Sequence, residues 1–420
     1  MTTAALKREV CDAIDAMAPA LLDVSHAIHA NPELAFHEVE AAKLLTSRVE
    51  AAGLPVTRGA FGLPTAYAST FGPEGKPEVA ILSEYDALPG IGHSCGHNII
   101  ATTGLGASLA LAKLGANLPG RIRYLGTPAE ERGGGKELMA QHGAFDHLDA
   151  AMMVHPAGID LITMPCICVS EVVVVYKGKS AHASAIPHAG LNALDALITA
   201  YQSIAQLRQH IKPTERIHGI ITRGGNAPNI VPEETEGFFY VRAAYAEDLA
   251  ALKKRVQACF EAGALATGCT VEIKWAMADY LDLKTSMPLA RSYEANMKNI
   301  GRTFFPLEKL PGGSAGSTDM GNVSHRVPSI HPMISCAPPN VVIHNPEFAR
   351  WAGGELGDKA CIDGAKALAM TALDFLTDAD LRKTARDEFA ATADASARSV
   401  ASAYDAHGNA LIGGCGCGGH

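Results

Sequence analysis

Apolar and polar positions alternate in two rhythms along the chain, and the change between them divides it. Residues 4–29 and 38–52 carry apolar side chains at helical spacing. In the second stretch Val39, Ala42, Leu45 and Val49 recur on one face and Gly53 ends it. The apolar run 79–82 then predicts a buried strand, 98–113 a helix, 121–125 a strand, 136–142 a short helix and 150–154 another strand. This βαβα order predicts an α/β fold, a mixed, mostly parallel sheet flanked by helices.

From about residue 170 the rhythm changes. Residues 172–176 predict a strand and 191–209 a helix whose apolar face is marked by Leu194, Leu197, Ile198, Tyr201, Ile204 and Ala205. Strands at 216–222 and 236–244, a helix at 247–266 and a strand at 270–276 complete a β-α-β-β-α-β unit, the ferredoxin-like α+β order. Helices resume at 287–300, 357–376 and 379–402, so the unit reads as an insertion. The expected division is a discontinuous domain of residues 1–170 and 285–405, an inserted domain of 171–284, and a flexible tail of 406–420 ending in GGCGCGGH.

A chain of 420 residues is long for one core and fits this division. The net charge of -9, with no Lys/Arg-rich run interleaved with aromatics, argues against nucleic acid as a partner. No apolar run reaches the ~18 residues that would cross a bilayer, and the N-terminal segment lacks the apolar centre of a secretory signal. Ten Cys in so long a chain read as free thiols, and the expected location is the cytoplasm.

The candidate chemistry follows the strands. Asp86 comes after 79–82, the pair Glu130-Glu131 after 121–125, and His155 after 150–154. In open α/β sheets ligand sites gather at the carboxyl ends of strands, so one sheet would bring these residues together. Cys95 and His97, preceded by His93, stand just before the helix that opens at Asn98. A thiolate, imidazoles and a carboxylate suit a zinc-class ion or manganese, and a second carboxylate beside them suits a base that activates water. Taken singly, each has a plainer reading: a buried Cys, a surface His, a solvated Glu-Glu loop tip. Gly133-Gly134-Gly135-Lys136 fails the phosphate-loop spacing, which needs Gly where Glu130 stands and Ser or Thr where Glu137 stands.

The motifs Asp86-Ala87-Leu88-Pro89, HSCGHN, GTPAEE, VHP, GKSAHAS, GGNAPNIVPE, GSTDMGNVS and IHNPEF together resemble the M20 metallopeptidase family. More narrowly the chain is similar to the subfamily D amidohydrolases and their aminobenzoyl-glutamate hydrolase and dipeptidase branch. Asn98 stands where most of the subfamily has Asp. The resemblance implies that Cys95, His97, Glu131, His155 and His344 hold one or two divalent ions, Zn²⁺ or Mn²⁺ with Co²⁺ as a substitute, and that Cys95 bridges them. It implies Glu130 as general base and then acid, with Asp86 orienting a ligand; for Asp86 a helix cap is the rival. The inserted unit would be a lid and dimerisation domain, making the protein a homodimer or higher homo-oligomer. His182 would stabilise the oxyanion and Asn229 would hold the substrate near its carboxylate. Arg242 is a second carboxylate candidate, and Ser317 and Thr318, with Asp319, would line the acyl pocket. The implied activity is hydrolysis of the amide bond in an N-acyl amino acid, an aminobenzoyl-glutamate-like conjugate or a dipeptide. The alternatives are a cysteine amidase with Cys95 as nucleophile and a non-catalytic binding module on the same frame.

Overall fold

Val79, Ala80, Ile81 and Leu82 carry no polar side chain, and none is exposed to solvent. In the computed structural model, which describes residues 1–75, 77–310 and 315–404, they form the strand Glu78–Ser83 inside a six-stranded sheet. The tail expected at 406–420 lies outside the described residues. A continuous apolar run is what a strand covered on both faces requires. Alternation does the sorting. Val79, Ile81, Ile122, Tyr124, Ala150 and Met152 enter one core, while Ala80, Leu82, Leu125, Ala151 and Met153 enter another.

The sheet order is Thr57–Arg58, Tyr67–Phe71, Arg121–Gly126, Glu78–Ser83, Ala150–Met152, Ser329–Ile330. The last four strands are parallel, and the first two are antiparallel additions at one edge. The helices Thr3–Ala30, His97–Lys113 and Glu355–Thr377 pack together over one face. Three differences from the predicted elements matter. The short strands at 57–58, 67–71 and 329–330 carry too few residues to stand out as periodic runs. The predicted strand at 150–154 stops at Met152; a separate strand, His155–Ala157, pairs in parallel with Met333–Ser335. The predicted helix at 379–402 is two helices, Ala379–Ala390 and Ala393–Ala403, broken where neither Gly nor Pro marks the end.

The described chain forms two compact units: Met1–Cys166 with Leu283–Ser396, and Ile167–Asp282 with residues 397–404. The second unit has an antiparallel sheet ordered Thr270–Trp275, Cys168–Lys177, Glu234–Ala243, Arg216–Arg223. Strand Glu234–Ala243 buries every second residue, and the helices Ala193–Leu207 and Ala246–Thr267 cover that face through Leu197, Ala200, Val256 and Phe260. This is the ferredoxin-like arrangement. The last described residues join this unit, where the sequence had grouped them with the flanking domain. Val400, Ala403 and Tyr404 enter its core, and the Tyr404 hydroxyl donates to the Asp279 carbonyl. Among the described residues no helix is long and apolar enough to cross a membrane.

Phe260 is fully buried in the second core. Phe260→Ala should lower the stability of that unit by about 3–5 kcal/mol, read as a lower urea midpoint.

Candidate metal centre

Three parallel strands end at one edge of the first unit's sheet, and each is followed within a few residues by a polar side chain of the centre. Glu84 and Asp86 follow Ser83, Glu130 and Glu131 follow Gly126, and His155 follows Met152. The helix His97–Lys113 begins at the same edge, after a turn through Gly96 at φ 80°. A Cβ on Gly96 would stand 2.6 Å from Pro156 Cγ, so the turn can approach the His155 segment only with glycine there. It places Cys95 Sγ 3.3 Å from His155 Nε2.

Two imidazoles are oriented from behind. His97 Nδ1–H donates to Asp86 Oδ1 at 3.1 Å, and His155 Nδ1–H donates to the Pro156 carbonyl at 2.8 Å. His155, pushed low, therefore presents an unprotonated Nε2 to the centre, whereas His97 is pushed well above its usual value, burial being outweighed by the charges of Cys95 and Asp86, so an ion bound at its Nε2 would displace a proton. His97 Nε2 lies 3.7 Å from Glu84 Oε2, 3.8 Å from Glu130 Oε2 and 3.8 Å from Glu131 Oε1. The other oxygen of Asp86 accepts from the Glu131 N–H at 2.9 Å, so one aspartate orients both a histidine and the Glu-Glu turn. The cap reading of Asp86 gives way to this role. His344 arrives from far along the chain: its N–H donates to the Ser94 carbonyl at 2.8 Å, and its Nε2 lies 3.4 Å from Glu131 Oε2.

The ligand atoms of Cys95, His97 and His155 lie within 4.8 Å of one another, as do those of Cys95, Glu131 and His344. Cys95 belongs to both sets. A third set is Glu84, His97 and Glu130. His97 Nε2, Glu131 Oε1 and Glu84 Oε2 are buried and make no hydrogen bond. Orphaned buried atoms of this kind are costly unless a ligand satisfies them. Imidazole nitrogen, thiolate and carboxylate oxygen converging on them fit a zinc-class or manganese ion.

Charge points the same way. Burial, reinforced by Glu84 and Glu131, pushes the Glu130 carboxyl well above the usual carboxylate range. Burial also pushes Glu131 up to about 7. The Cys95 thiol is raised by burial and by the charge of Glu131. His155 is pushed well below its usual value by burial and the nearby His331 and His97. Asp86 is held low despite burial by hydrogen bonds from His97 and from the N–H groups of Glu131 and Glu130. A divalent cation reverses this balance by favouring thiolate and carboxylates together.

The other candidate residues are not members of these donor sets. His93 is buried and stacks on His29 at 6.2 Å, outside the donor sets. Thr318 is buried, and its hydroxyl accepts from the Met320 N–H at 3.2 Å; Ser317 is half-buried. In the second unit His182 is exposed, and its Nδ1 accepts from the N–H groups of Ser184 at 3.4 Å and Ala185 at 3.3 Å. The proton therefore sits on Nε2, the tautomer that donates outward. Asn229 adjoins it, its carbonyl accepting from the Ala183 N–H at 3.0 Å. Arg242 is not with them. It lies eight residues along the strand from Glu234, roughly 26 Å at the usual rise, stacked over Tyr240 and bonded to His218 Nε2 at 3.3 Å.

Sequence reasoning passed over Glu84, Lys136 and His331. Lys136 is fully buried and bonds both Glu84 and Asp319, the latter at 2.6 Å. The His331 ring lies 5.3 Å from that of His155. Glu84 was signalled by its place directly after a buried strand; a lysine after three glycines gives no such sign.

The family pattern described as Peptidase family M20/M25/M40 matches residues 80–373. The chain belongs to that family. It is 41% identical to the Xaa-Arg dipeptidase of Mus musculus over 91% of this chain and 92% of that one. It is 29% identical to a p-aminobenzoyl-glutamate hydrolase chain of Escherichia coli strain K12, over 91% and 94%. Its fold matches a Bacillus subtilis protein described as a dinuclear metal binding peptidase from the M20 family, with a TM-score of 0.63 at 20% identity over 86% of this chain and 99% of that one. This M20 chain is a hydrolase of peptide or amide bonds with residues grouped to bind metal. The cysteine-amidase alternative is not favoured, since Cys95 is 4% exposed and its thiol is raised rather than activated.

Two outcomes follow from the geometry. Asp86→Asn should weaken divalent-ion binding by about 10–100-fold, measured by titration against a chelating indicator. Glu131 at about 7 and the raised Cys95 thiol hold protons near neutrality, and an ion must displace them. Ion affinity should therefore fall as pH drops from about 8 to 6, and binding in weak buffer should release protons.

Proposed function

We propose that the protein is a metal-dependent dipeptidase or amidohydrolase whose substrate has a free carboxylate on the amine side of the scissile bond. The observation that carries the reading is the pair of donor sets sharing Cys95, with Glu130 beside them. Cys95, His97, His155, Glu131 and His344 would hold two divalent ions, Zn²⁺ or Mn²⁺, with Cys95 between them. Bound ions polarise the substrate carbonyl and lower the pKa of water. Glu130 takes the proton of the attacking water and delivers it to the leaving amine, a shuttle suited to a carboxyl raised by burial. Asp86 keeps His97 in the tautomer that faces the centre. His182, with its proton on Nε2, donates to the tetrahedral oxyanion, and Asn229 beside it binds the substrate near its carboxylate. Ser317 lines the acyl side. Arg242 is left out of this group because it sits at the other end of its strand.

The preferred substrate class is a dipeptide with a basic C-terminal residue, because a Xaa-Arg dipeptidase is similar along nearly the whole of both chains. Conjugates like p-aminobenzoyl-glutamate and N-acyl amino acids come next. Self-association through the second unit is supported by its edge strand Arg216–Arg223, which exposes Ile220 and Ile221. The eight described cysteines are all free, which supports a reducing compartment such as the cytoplasm.

The test is amine release from dipeptides, p-aminobenzoyl-glutamate and N-acyl amino acids, before and after chelation. Cleavage that disappears with chelator and returns with Zn²⁺ or Mn²⁺ is expected; cleavage that survives full metal removal would overturn the reading. Glu130→Gln should retain its ions and lose about 10²–10⁴-fold in kcat. His182→Ala should lose about 10²–10³-fold in kcat with its metal content unchanged.

A further inference from the structure

Glu38 is a buried carboxylate that the mechanism above does not use. It has no solvent exposure, and its side chain serves three donors. Its Oε1 accepts from the Phe36 N–H at 2.9 Å and from the Ala129 N–H at 2.9 Å, and its Oε2 accepts from the Thr65 hydroxyl at 2.9 Å. Phe36 and Ala129 are both non-glycine residues in the left-handed region, at φ 65° and 61°. One oxygen thus receives the N–H groups of two backbone positions that side chains normally avoid.

Ala129 directly precedes Glu130. On the far side of the Glu-Glu pair, Gly133 is at φ 110°, and a Cβ there would lie 2.4 Å from the Phe36 ring. Segment 36–38 therefore brackets the turn, with a carboxylate before it and an aromatic ring after it. From another side Asp86 takes the Glu131 N–H. If Ala129 relaxed to the right-handed region, the following peptide would rotate and Glu130 and Glu131 would leave their places beside His97.

We propose that Glu38, supported by Phe36, is a positioning residue that holds the turn 128–133 in the strained conformation from which Glu130 and Glu131 diverge. The proposal rests on the reading of Glu130 as base and Glu131 as ligand. Burial and the charge of Asp86 raise Glu38 to about 7. A carboxylate kept in so unfavourable a place, bonded to two strained residues, is better explained by the geometry it enforces than by any gain in stability.

The experiment compares Glu38→Ala, Glu38→Gln and Phe36→Ala with the wild-type protein and with Glu130→Gln. Each is loaded with Co²⁺ for its visible spectrum and affinity, and with Zn²⁺ or Mn²⁺ for kcat and KM. The Glu38→Gln side chain keeps an oxygen for the two N–H groups and turns its amide nitrogen to the Thr65 hydroxyl. Glu38→Ala should bind Co²⁺ about tenfold more weakly with altered visible bands, and lose about 10–100-fold in kcat at saturating metal with KM within about threefold. Glu38→Gln should restore each value to within about threefold. Wild-type spectrum and kcat in Glu38→Ala, or a Glu38→Gln protein as impaired as Glu38→Ala, would overturn the proposal. Should Glu38→Ala not fold, Phe36→Ala decides: altered Co²⁺ bands and a kcat lowered about 3–10-fold support the bracket, and unchanged values sink it. Full turnover in Glu130→Gln would defeat the base assignment instead, and the Co²⁺ spectra of the Glu38 variants would still judge the positioning role.

Discussion

Several carboxylates, two imidazoles and a thiol are buried around one point at the edge of a parallel sheet, and the first unit depends on how that charge is balanced. Glu84, Cys95, His97, Glu130 and His155 are all less than a tenth exposed. Hydrogen bonds inside the cluster do not satisfy them, since His97 Nε2, Glu131 Oε1 and Glu84 Oε2 have none. Lys136 offsets Glu84 and Asp319 from one side, deep in the protein. What remains is anionic or ready to become so, and it converges where a divalent ion fits. The apolar strands on either side matter to function because they fix the edge from which these groups project.

Strain gathers at the same place. Of the five non-glycine residues with positive φ among the described residues, Phe36, Ala129 and His344 belong to the centre or its supports. Each has a specific hydrogen bond from its N–H: to Glu38, to Glu38 and to the Ser94 carbonyl. The unfavourable backbone is thus held by surrounding groups rather than left free to relax, which is how an active site keeps a geometry that the chain alone would not choose. In the second unit His182 shows the milder version, with local N–H donors fixing its tautomer but no burial.

Much of this was legible in the sequence because the sheet speaks in period two. The continuous run at 79–82 marked a strand buried on both faces, and Asp86, Glu130 and His155 each followed such a run. The change of rhythm near residue 170 marked the ferredoxin-like unit. What stayed hidden lacked a local signal. His344 reaches the centre through a backbone bond to Ser94, and only the motif around it pointed there. Lys136 sat in a glycine-rich stretch that could be rejected as a phosphate loop but not read as a buried cation. Glu38 stands at the first position of the predicted helix 38–52, where the apolar periodicity does not set it apart. Arg242 had the right chemistry for a carboxylate, yet the register of its strand carries it away from His182 and Asn229. The break at 391–392 fell between alanine-rich helices with no breaker to mark it.

The central claim is that Cys95 is shared by two ions. Diffraction from crystals of Zn²⁺-loaded protein, with data collected at the zinc absorption edge, tests it most directly. The account predicts two anomalous peaks per chain, one among Cys95, His97 and His155 and the other among Cys95, Glu131 and His344, with the Cys95 sulfur between them. A single peak, or peaks that leave Cys95 Sγ without a metal contact, would contradict it.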